Sequence, residues 1–389
     1  MEGKKSGGRR STIEDLTDDL IMEILRHLPL SSFIRCLVVC KRWQYLIACS
    51  PLLHTNTINV AASYDGFNEN YMCLERGQRG GMQQIFSELD FSVNFPNKRR
   101  YHNRILTSCN GLLFSYYSVR RRNHSPLSYI SNPWTKECVC IPNPSLTSRF
   151  YLCGLAFENN SSSDNNNNKL AMYKIVMAHR AKEEHYKFEI YSSDKKRWQW
   201  VSNASELEPH GDCRFDQNGV YCNQVLYWQC HWKRHQHALT FNLETETSSY
   251  LGLPIDDDGN LETLFSHKLM ECDQQLHYIQ TGVVHCRLII WKMLTSGEWL
   301  MMHKVDLKGA VERNLGLFPF HRTGRGFPYF RPIGMSVEQD NKVLLSHFDK
   351  LIVSYDLKKC VFELVLPSDF KPLYYFFRYS PTTKFITER

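Results

Sequence analysis

Two cysteines and three histidines that lie close together are the residues of this chain that most suggest metal chemistry: Cys222, Cys230, His231, His235 and His237. Thiolates and imidazoles are the ligands that zinc prefers in proteins. Structural zinc modules carry their ligands in closely spaced pairs, and the separations here do not follow that pattern. Histidine and cysteine on a hairpin are more often packed or exposed. We therefore predict no metal site and no cofactor.

Motifs for catalysis are missing from the sequence as well. It has no glycine loop that could cradle a phosphate, no nucleophile elbow and no metalloprotease helix. Several tryptophans could stack on sugars or bases, but they recur at corresponding positions of a sequence repeat, which favours packing in the core. We predict a non-catalytic protein. These tryptophans are Trp134, Trp198, Trp200, Trp228, Trp232, Trp291 and Trp299.

The length and composition indicate a globular protein. The chain has 389 residues, 42% of them hydrophobic and 13% aromatic, which is enough for two or three domains. No apolar run approaches the ~18 residues of a membrane span, and no apolar stretch of a signal peptide follows the first ten residues. Fourteen cysteines without regular spacing, in a chain without a secretory signal, indicate reduced thiols. We expect a cytosolic or nuclear protein with no membrane partner.

Part of the net charge of +7 comes from the first ten residues. Residues 1–10 contribute +3, from four basic residues and Glu2, and we expect them to form a disordered basic tail. Four short basic runs follow at turns or loops, where solvated loop tips are favoured over an acidic or nucleic-acid partner. These runs are Lys98–Arg100, Arg120–Arg122, Lys195–Arg197 and Lys233–Arg234.

Residues 11–55 predict three short helices with one small core. Thr17 can cap a first helix whose first turn holds Asp18 and Asp19, and Pro29 ends it. Ser31 can cap a second helix, and 41–49 form a third with Trp43, Leu46 and Ile47 inward. The first helix has a wide apolar stripe of Leu16, Leu20, Ile21, Ile24, Leu25 and Leu28. A unit of about 40 residues cannot bury so much apolar surface alone, which implies a helical partner.

From about residue 57 the chain consists of short alternating strands in a repeat. Each unit begins with a polar turn and an apolar strand, and about twenty residues later a second strand ends in another polar turn. The units begin at Asn110-Gly111, Asn168-Lys169, Asn223-Gln224, Gln274-Gln275 and Asn341-Lys342. A period near 50 residues in an all-β chain is typical of a propeller.

Five blades are readable over 56–389 and a sixth is plausible, so we predict about six. An early strand could complete the last blade and remove an open sheet edge, and the two candidates for this closure are Thr57–Val60 and Tyr374–Tyr379. The segment 159–168 is too polar to pack, and we predict a disordered loop there. The predicted fold class is α+β multidomain, a small three-helix domain followed by an all-β propeller.

The helical segment resembles an F-box, the module that docks on a Skp-type adaptor in SCF (Skp-cullin-F-box) ubiquitin ligases. The acidic helix start, Leu28-Pro29 and Val39-Cys40-Lys41-Arg42-Trp43 occur in order, although many F-boxes have proline at the position of Thr17. The resemblance implies an adaptor interface, or the core that supports it, formed by Leu16, Leu20, Ile24, Leu25, Leu28, Pro29, Val39, Cys40 and Trp43.

The repeat resembles the F-box-associated domain of plant F-box proteins over most of residues 100–365. The matching segments are Ser108–Leu113, Asn132–Lys136, Phe188–Ser193 before Trp198, and Tyr221–Trp228 before Phe241–Leu243. Together the two resemblances imply the substrate-recognition subunit of an SCF E3 ubiquitin ligase, with cullin and RING subunits reached through the adaptor and an unknown target held by the propeller. The alternatives are a glycan- or nucleic-acid-binding propeller and a non-ligase scaffold on the adaptor.

Overall fold

The computed structural model divides the chain into two compact units, Met1–Thr57 and Ile58–Arg389. The structure describes residues 13–28, 32, 36, 39–48, 58–64, 69–76, 82–85, 101–119, 127–133, 137–145, 151–158, 171–180, 186–202, 215–230, 237–255, 264–282, 286–318, 329–336, 341–347, 351–366, 373–379 and 386. The predicted disordered segments 1–10 and 159–168 lie outside these residues.

The first unit is helical where it is described. A short 3-10 helix, Ile13–Asp15, is followed by α1 (Asp18–Arg26) and α2 (Lys41–Ala48). The Thr17 hydroxyl accepts a hydrogen bond from the Leu20 N–H at 3.4 Å, so the predicted N-cap is confirmed. Of the predicted second helix only Ser32 and Cys36 are described, and both have helical backbone.

Where it is described, the second unit is built from β-strands and one further helix, α3 (Lys308–Arg313). The described strands are β1 (Ile58–Tyr64), β2 (Glu69–Arg76), β3 (Met82–Ile85), β4 (Tyr101–Cys109), β5 (Leu112–Val119), β6 (Leu127–Asn132), β7 (Glu137–Ile141), β8 (Tyr151–Glu158), β9 (Met172–Arg180), β10 (Tyr186–Ser192), β11 (Arg197–Trp200), β12 (Val220–Cys222), β13 (Val225–Gln229), β14 (His237–Asn242), β15 (Thr247–Gly252), β16 (Leu264–Cys272), β17 (Gln275–Gly282), β18 (Arg287–Met293), β19 (Trp299–Asp306), β20 (Phe330–Ser336), β21 (Lys342–His347), β22 (Leu351–Asp356), β23 (Val361–Leu366) and β24 (Leu373–Tyr379).

These strands form six four-stranded antiparallel sheets. Five sheets use consecutive strands, β4–β7, β8–β11, β12–β15, β16–β19 and β20–β23, and the remaining sheet has the order β24-β1-β2-β3. The first strands of neighbouring sheets contact one another in a closed ring that runs β4, β8, β12, β16, β20, β24 and back to β4. Such a ring of sheets is a β-propeller, so the predicted all-β architecture is confirmed.

The ring closes where the last strand pairs with the first. β24 lies antiparallel to β1, with Ile58 opposite Tyr379 and Ala61 opposite Phe376. The two segments predicted to close the ring meet in this pairing, apart from Thr57, which is outside the described residues. An early strand therefore completes the last sheet, and this pairing joins the first and last described strands of the propeller.

Two-residue turns join the first two strands of the three sheets in which this whole connection is described, β4–β7, β12–β15 and β16–β19. Asn110 and Gly111, Asn223 and Gln224, and Asp273 and Gln274 all have positive φ, as two-residue hairpin turns require. The first and third predicted repeat starts coincide with these turns, and the fourth turn begins one residue earlier than predicted. The second predicted start, Asn168-Lys169, lies outside the described residues. In the fifth, Asn341 has positive φ and Lys342 begins β21. Because neighbouring strands are antiparallel, the first-to-second and third-to-fourth connections of each sheet of consecutive strands lie at the same end of that sheet, and we name this end of the ring the turn face.

Three tryptophans link neighbouring sheets through indole hydrogen bonds, in agreement with the predicted core packing. Trp228 is fully buried, and its indole N–H donates to the Cys153 carbonyl at 3.1 Å. Trp198 donates to the Pro142 carbonyl at 2.6 Å. Trp299 donates to the Gly252 carbonyl at 2.9 Å.

Two other tryptophans fit the prediction of core packing less well. Trp291 is half-buried and donates to the Gln280 side chain at 3.0 Å. Trp200 is 43% exposed, so for this residue the prediction is wrong. It belongs to the outer strand of its sheet, where only one side of an indole can be covered. Trp134 and Trp232 lie outside the described residues.

The cysteines and histidine considered as metal ligands are packing residues where they are described. Cys222 and Cys230 belong to different apolar clusters, and buried His237 packs edge-on against Phe215 and Tyr250. His231 and His235 lie outside the described residues, among which no group of three potential ligands occurs. The eleven cysteines whose side chains are described carry free thiols. Within the described part of the chain, no helix is long and apolar enough to cross a bilayer.

Among the basic runs, Lys195–Arg197 is exposed, as predicted for a loop tip: Lys195 and Lys196 lie in the turn between β10 and β11, and Arg197 begins β11. The other three runs lie outside the described residues.

Candidate functional site

Helix α1 has one buried and one exposed apolar face. Ile21 and Leu25, one turn apart, are fully buried, whereas Leu20 is 53% exposed and Ile24 is 42% exposed. Residues four apart lie on the same side of a helix, so Leu20 and Ile24 form one continuous apolar face. The buried pair anchors the helix in its own small core, and the exposed pair remains available to another molecule.

An arginine fixes the beginning of α1 against α2. The Arg42 guanidinium donates to the Asp18 carboxylate at 2.8 Å and to the Leu16 carbonyl at 2.6 Å. The side chains of Arg42 and Asp18 are partly exposed, at 39% and 60%, so this ion pair adds little to the stability of the protein. Because guanidinium bonds are directional, they set the position of one helix relative to the other.

Helix α2 contributes further exposed apolar groups. Tyr45 is 65% exposed, and Val39, just before the helix, is 60% exposed. Ile47 is fully buried and faces inward as predicted, while Trp43 and Leu46 are half-buried. We name the set Ile13, Leu20, Ile24, Val39 and Tyr45 the apolar surface of the helical unit. So much exposed hydrophobic area in so short a segment indicates a protein-binding surface.

The sequence-predicted interface residues fall into three groups. Leu20, Ile24, Val39 and Cys40 are exposed; Leu16, Leu28 and Trp43 are half-buried; and Leu25 is buried, so that it supports the surface and does not form it. Pro29 lies outside the described residues. The wide apolar stripe of α1 included residues from both faces, and the packing of α1 distinguishes the supporting residues from the exposed ones.

Three residues with a role at this surface were not among the predicted ones. Ile13 is 52% exposed and precedes the recognisable pattern. Tyr45, 65% exposed, lies on the side of α2 opposite the predicted inward residues. Arg42 acts through a contact with Asp18, 24 residues away, which no local period can reveal.

Two family models match the chain. The model of the F-box domain matches residues 13–55, which contain the apolar surface of the helical unit. The model of the F-box associated beta propeller domain matches residues 82–361, or 280 of the 389 residues. The chain belongs to the F-box-associated β-propeller family.

Curated relatives of the same kind are found in Arabidopsis thaliana. One F-box protein is 25% identical over 98% of this chain and 94% of its own length. Another F-box protein is 25% identical, covering 79% of this chain and 83% of its own, and an F-box/LRR-repeat/kelch-repeat protein is 24% identical, covering 86% and 85%.

A solved structure, "YCF48 bound to D1 peptide", covers 80% of this chain and 81% of its own at 11% identity with a TM-score of 0.37. This resemblance is too slight to bear on the fold. By the two family models, the chain is an F-box protein with an F-box-associated propeller.

Proposed function

We propose that this protein is the substrate-recognition subunit of an SCF E3 ubiquitin ligase. Its F-box docks on a Skp-type adaptor, and through it on the cullin and RING subunits, while the propeller captures a target protein for ubiquitination and degradation. The proposal is supported above all by the exposed face of Leu20 and Ile24 on a helix that the F-box family model includes.

A receptor of this kind needs no catalytic group. Holding a target next to a charged conjugating enzyme raises the effective concentration of its lysines, which accelerates transfer without any new chemistry. We propose a non-enzymatic role for the chain, with no cofactor, no membrane partner and no nucleic-acid partner, and a location in the cytosol or nucleus.

The structure suggests how the proposed docking is divided among residues. Leu20, Ile24 and Val39 would enter the adaptor, because exposed apolar side chains gain the most on burial. Ile21, Leu25 and Ile47 would keep α1 and α2 in place behind them. For the second unit we propose six blades, one for each four-stranded sheet, with β24 completing the last.

Titration with a purified Skp-type adaptor tests the docking half of the proposal. In the full chain, Leu20→Asp and Ile24→Asp should each weaken binding by about 2 kcal/mol, or roughly 30-fold, as truncations at binding hot spots do. Leu364→Asp is the matched control, because Leu364 is 45% exposed on outer strand β23 of the propeller. Equal binding by Leu20→Asp and the control would contradict the proposed face.

Reconstituted ubiquitination then separates a ligase receptor from a scaffold on the adaptor. Assembly with cullin and RING subunits that yields ubiquitin transfer to a bound protein supports the receptor. Adaptor binding without assembly with cullin contradicts it.

A further inference from the structure

Positive charge is concentrated on the outer side of sheet β8–β11. In the described part of this sheet, five basic side chains are exposed against one exposed acid, Asp194, which gives a net exposed charge of +4 (5 minus 1). Half-buried Lys174 and buried Glu189 offset each other. The five exposed bases are Arg180, Lys187, Lys195, Lys196 and Arg197.

These bases lie at both ends of outer strand β11. Lys195 and Lys196 belong to the turn before it, at the turn face. At the other end, Trp200 is the last residue of β11 and pairs with Glu189, and Lys187 lies two residues further along β10. From Lys187 to its last residue, β10 covers five residue steps, or about 17 Å. A peptide of about five extended residues has the same length.

Trp200 presents an aromatic surface between these charges. Its indole is 43% exposed, and its inner side lies against the buried His179 ring at a centroid distance of 5.8 Å. Trp200 and Lys187 are on the same side of the sheet, because Glu189, the partner of Trp200, is two residues from Lys187. Tryptophan is enriched among the residues that contribute most to binding. The exposed part of the indole can therefore cover an apolar group of a ligand.

The backbone of β11 can accept a further strand. Among the described strands, β11 has a neighbour, β10, on one side only. A strand at the edge of a sheet presents N–H and C=O groups to another extended chain. An added peptide gains main-chain hydrogen bonds, and the side chains of the sheet select its alternate residues. The Lys195 ammonium is held beside this edge, because it donates to the Gln199 side chain at 3.3 Å.

The corresponding edges of two other sheets have a different charge. The turn before β15 carries Glu244 and Glu246, both exposed. Strand β19 exposes one charge of each sign, Lys304 and Asp306. The positive charge beside β11 is therefore not a general property of the repeat. We name Lys187, Lys195, Lys196, Arg197 and Trp200 the basic edge.

We propose that the basic edge binds an acidic, extended segment of the target protein, which adds to β11 as a further strand. Carboxylates of the segment contact Lys187, Lys195 and Arg197, and an apolar side chain covers the exposed indole of Trp200. A nucleic acid would match the charges but not the backbone groups of a strand edge, so a peptide fits this site better. The inference rests on the proposed receptor role, because the segment bound here would select the target.

The probe for this proposal is a labelled seven-residue peptide in which glutamate alternates with valine. Fluorescence polarisation should show it binding the full-length protein at least ten times more tightly than the same peptide with lysine in place of glutamate. Trp200→Ala should weaken binding at least five-fold, whereas Leu364→Ala, at the fourth position of β23 and 45% exposed, should not. Lys195→Glu should also weaken it at least five-fold, and Lys359→Glu, in the turn before β23, should not.

Two N-methylated versions of the acidic peptide test its addition to the strand edge. Alternate N–H groups of a strand point to opposite sides, so only one set can pair with β11. Methylation of either the valine or the glutamate amides should abolish binding, and methylation of the other set should preserve it. Equal effects of the two versions would overturn the addition of a strand.

The proposal would also be overturned by the absence of binding at 1 mM acidic peptide, or by equal losses in each variant and its control. Tighter binding of a single-stranded oligothymidylate than of the peptide would overturn it as well, and would make the basic edge a nucleic-acid site.

Adaptor docking is measured separately on the same full-length proteins. Trp200→Ala should bind the Skp-type adaptor with the affinity of the intact chain. A chain that docks on the adaptor but does not bind the acidic peptide would reject the basic edge alone. Peptide binding without adaptor docking would reject the receptor role alone.

Discussion

Residues that hold positive φ without being glycine are the points of local strain in the propeller. Gln224 has φ +64° and Gln274 has φ +59° at second turn positions, where Gly111 has φ +83°. The left-handed conformation costs a side-chain-bearing residue about 1 kcal/mol, and the surrounding strands hold it in place. Gln274 contributes backbone contacts there: its carbonyl accepts from the Asn223 side chain at 3.1 Å.

Replacing Gln274 by glycine should therefore stabilise the propeller by about 0.5–1 kcal/mol, because the contacts of this residue are kept and the strain is removed. Urea unfolding measures the change. Gln275→Gly is the control one residue further on, inside β17, where the same substitution should destabilise by a similar amount. Destabilisation by both substitutions would show that the turn is not strained.

Lys268, a lysine on inner strand β16, has a lowered pKa. Burial lowers the pKa of Lys268 to about 8; Asp216 opposes this shift, and Arg331 adds to it. Its ammonium group donates to the Ile333 carbonyl on β20 at 3.5 Å. Since the unfolded chain keeps an ordinary lysine pKa near 10.5, the folded state is penalised wherever Lys268 is charged.

Lys268→Met should raise the free energy of unfolding by about 1–3 kcal/mol at pH 7, where both states of the wild type are protonated. Between pH 8 and 10.5 the folded wild type loses this proton first, so its stability rises and the advantage of the variant should shrink. Denaturant unfolding at pH 7 and pH 10 measures both values. A gain that did not fall with pH would contradict the assignment, and Lys195→Met, at an exposed turn, is the control.

At the scale of elements, the approach of strand β8 to the segment before β12 depends on glycine. The Cys153 N–H donates to the Gln217 carbonyl, and the Gly219 N–H donates to the Cys153 carbonyl, both at 2.7 Å. A Cβ atom at Gly219 would lie 2.8 Å from the indole nitrogen of Trp228, and one at Gly154 would lie 2.6 Å from Leu226. Sheets β8–β11 and β12–β15 can therefore join by backbone hydrogen bonds at this place only because Gly154 and Gly219 carry no side chains.

Gly219→Ala should destabilise the protein by about 1–3 kcal/mol, since Trp228 is fully buried and cannot move away without loss of packing. Thermal unfolding followed by circular dichroism measures the effect. Gly252→Ala is the matched control, because no atom lies within 4 Å of the added methyl group, and it should change stability by less than about 0.5 kcal/mol. Equal effects would reject steric approach as the reason for Gly219.

The elements also show what a sequence can and cannot predict. The repeat was visible because polar turns such as Asn110-Gly111 have local signatures, and α1 because its cap and period are local. The orientation of α1 was not visible, because both of its faces are apolar. The bond from the Ile386 N–H to the Glu137 carboxylate links residues too distant for any period to connect, and the exposure of Trp200 depends on its place in an outer strand.

At the scale of the whole molecule, stability depends on the pairing that closes the ring. β1 is an interior strand, with β24 on one side and β2 on the other, while β3 is at the outer edge of the same sheet. A substitution that breaks the pairing of interior strand β1 should therefore destabilise the entire ring. A substitution in edge strand β3 should affect only the outer part of its own sheet.

Ala61→Pro should lower the free energy of unfolding by about 3 kcal/mol or more, because proline in an interior strand removes a ladder hydrogen bond and clashes with its neighbours. Gln84→Pro, in edge strand β3, should cost clearly less. Thermal unfolding monitored by circular dichroism, with gel filtration of the folded state, compares the two. A similar loss from both would show that closure through β1 does not control the stability of the ring.

The closure has a consequence for biosynthesis. β1 ends at Tyr64 and its partner β24 begins at Leu373, so 309 positions (373 minus 64) of translation separate the two halves of one sheet. At about 5–20 residues per second, a ribosome needs roughly 15–60 s to cover that distance. During this time β1 presents an unpaired edge that can join strands of other nascent chains. The yield of folded protein should therefore depend on chaperone capacity and elongation rate more than on the intrinsic folding speed of any sheet.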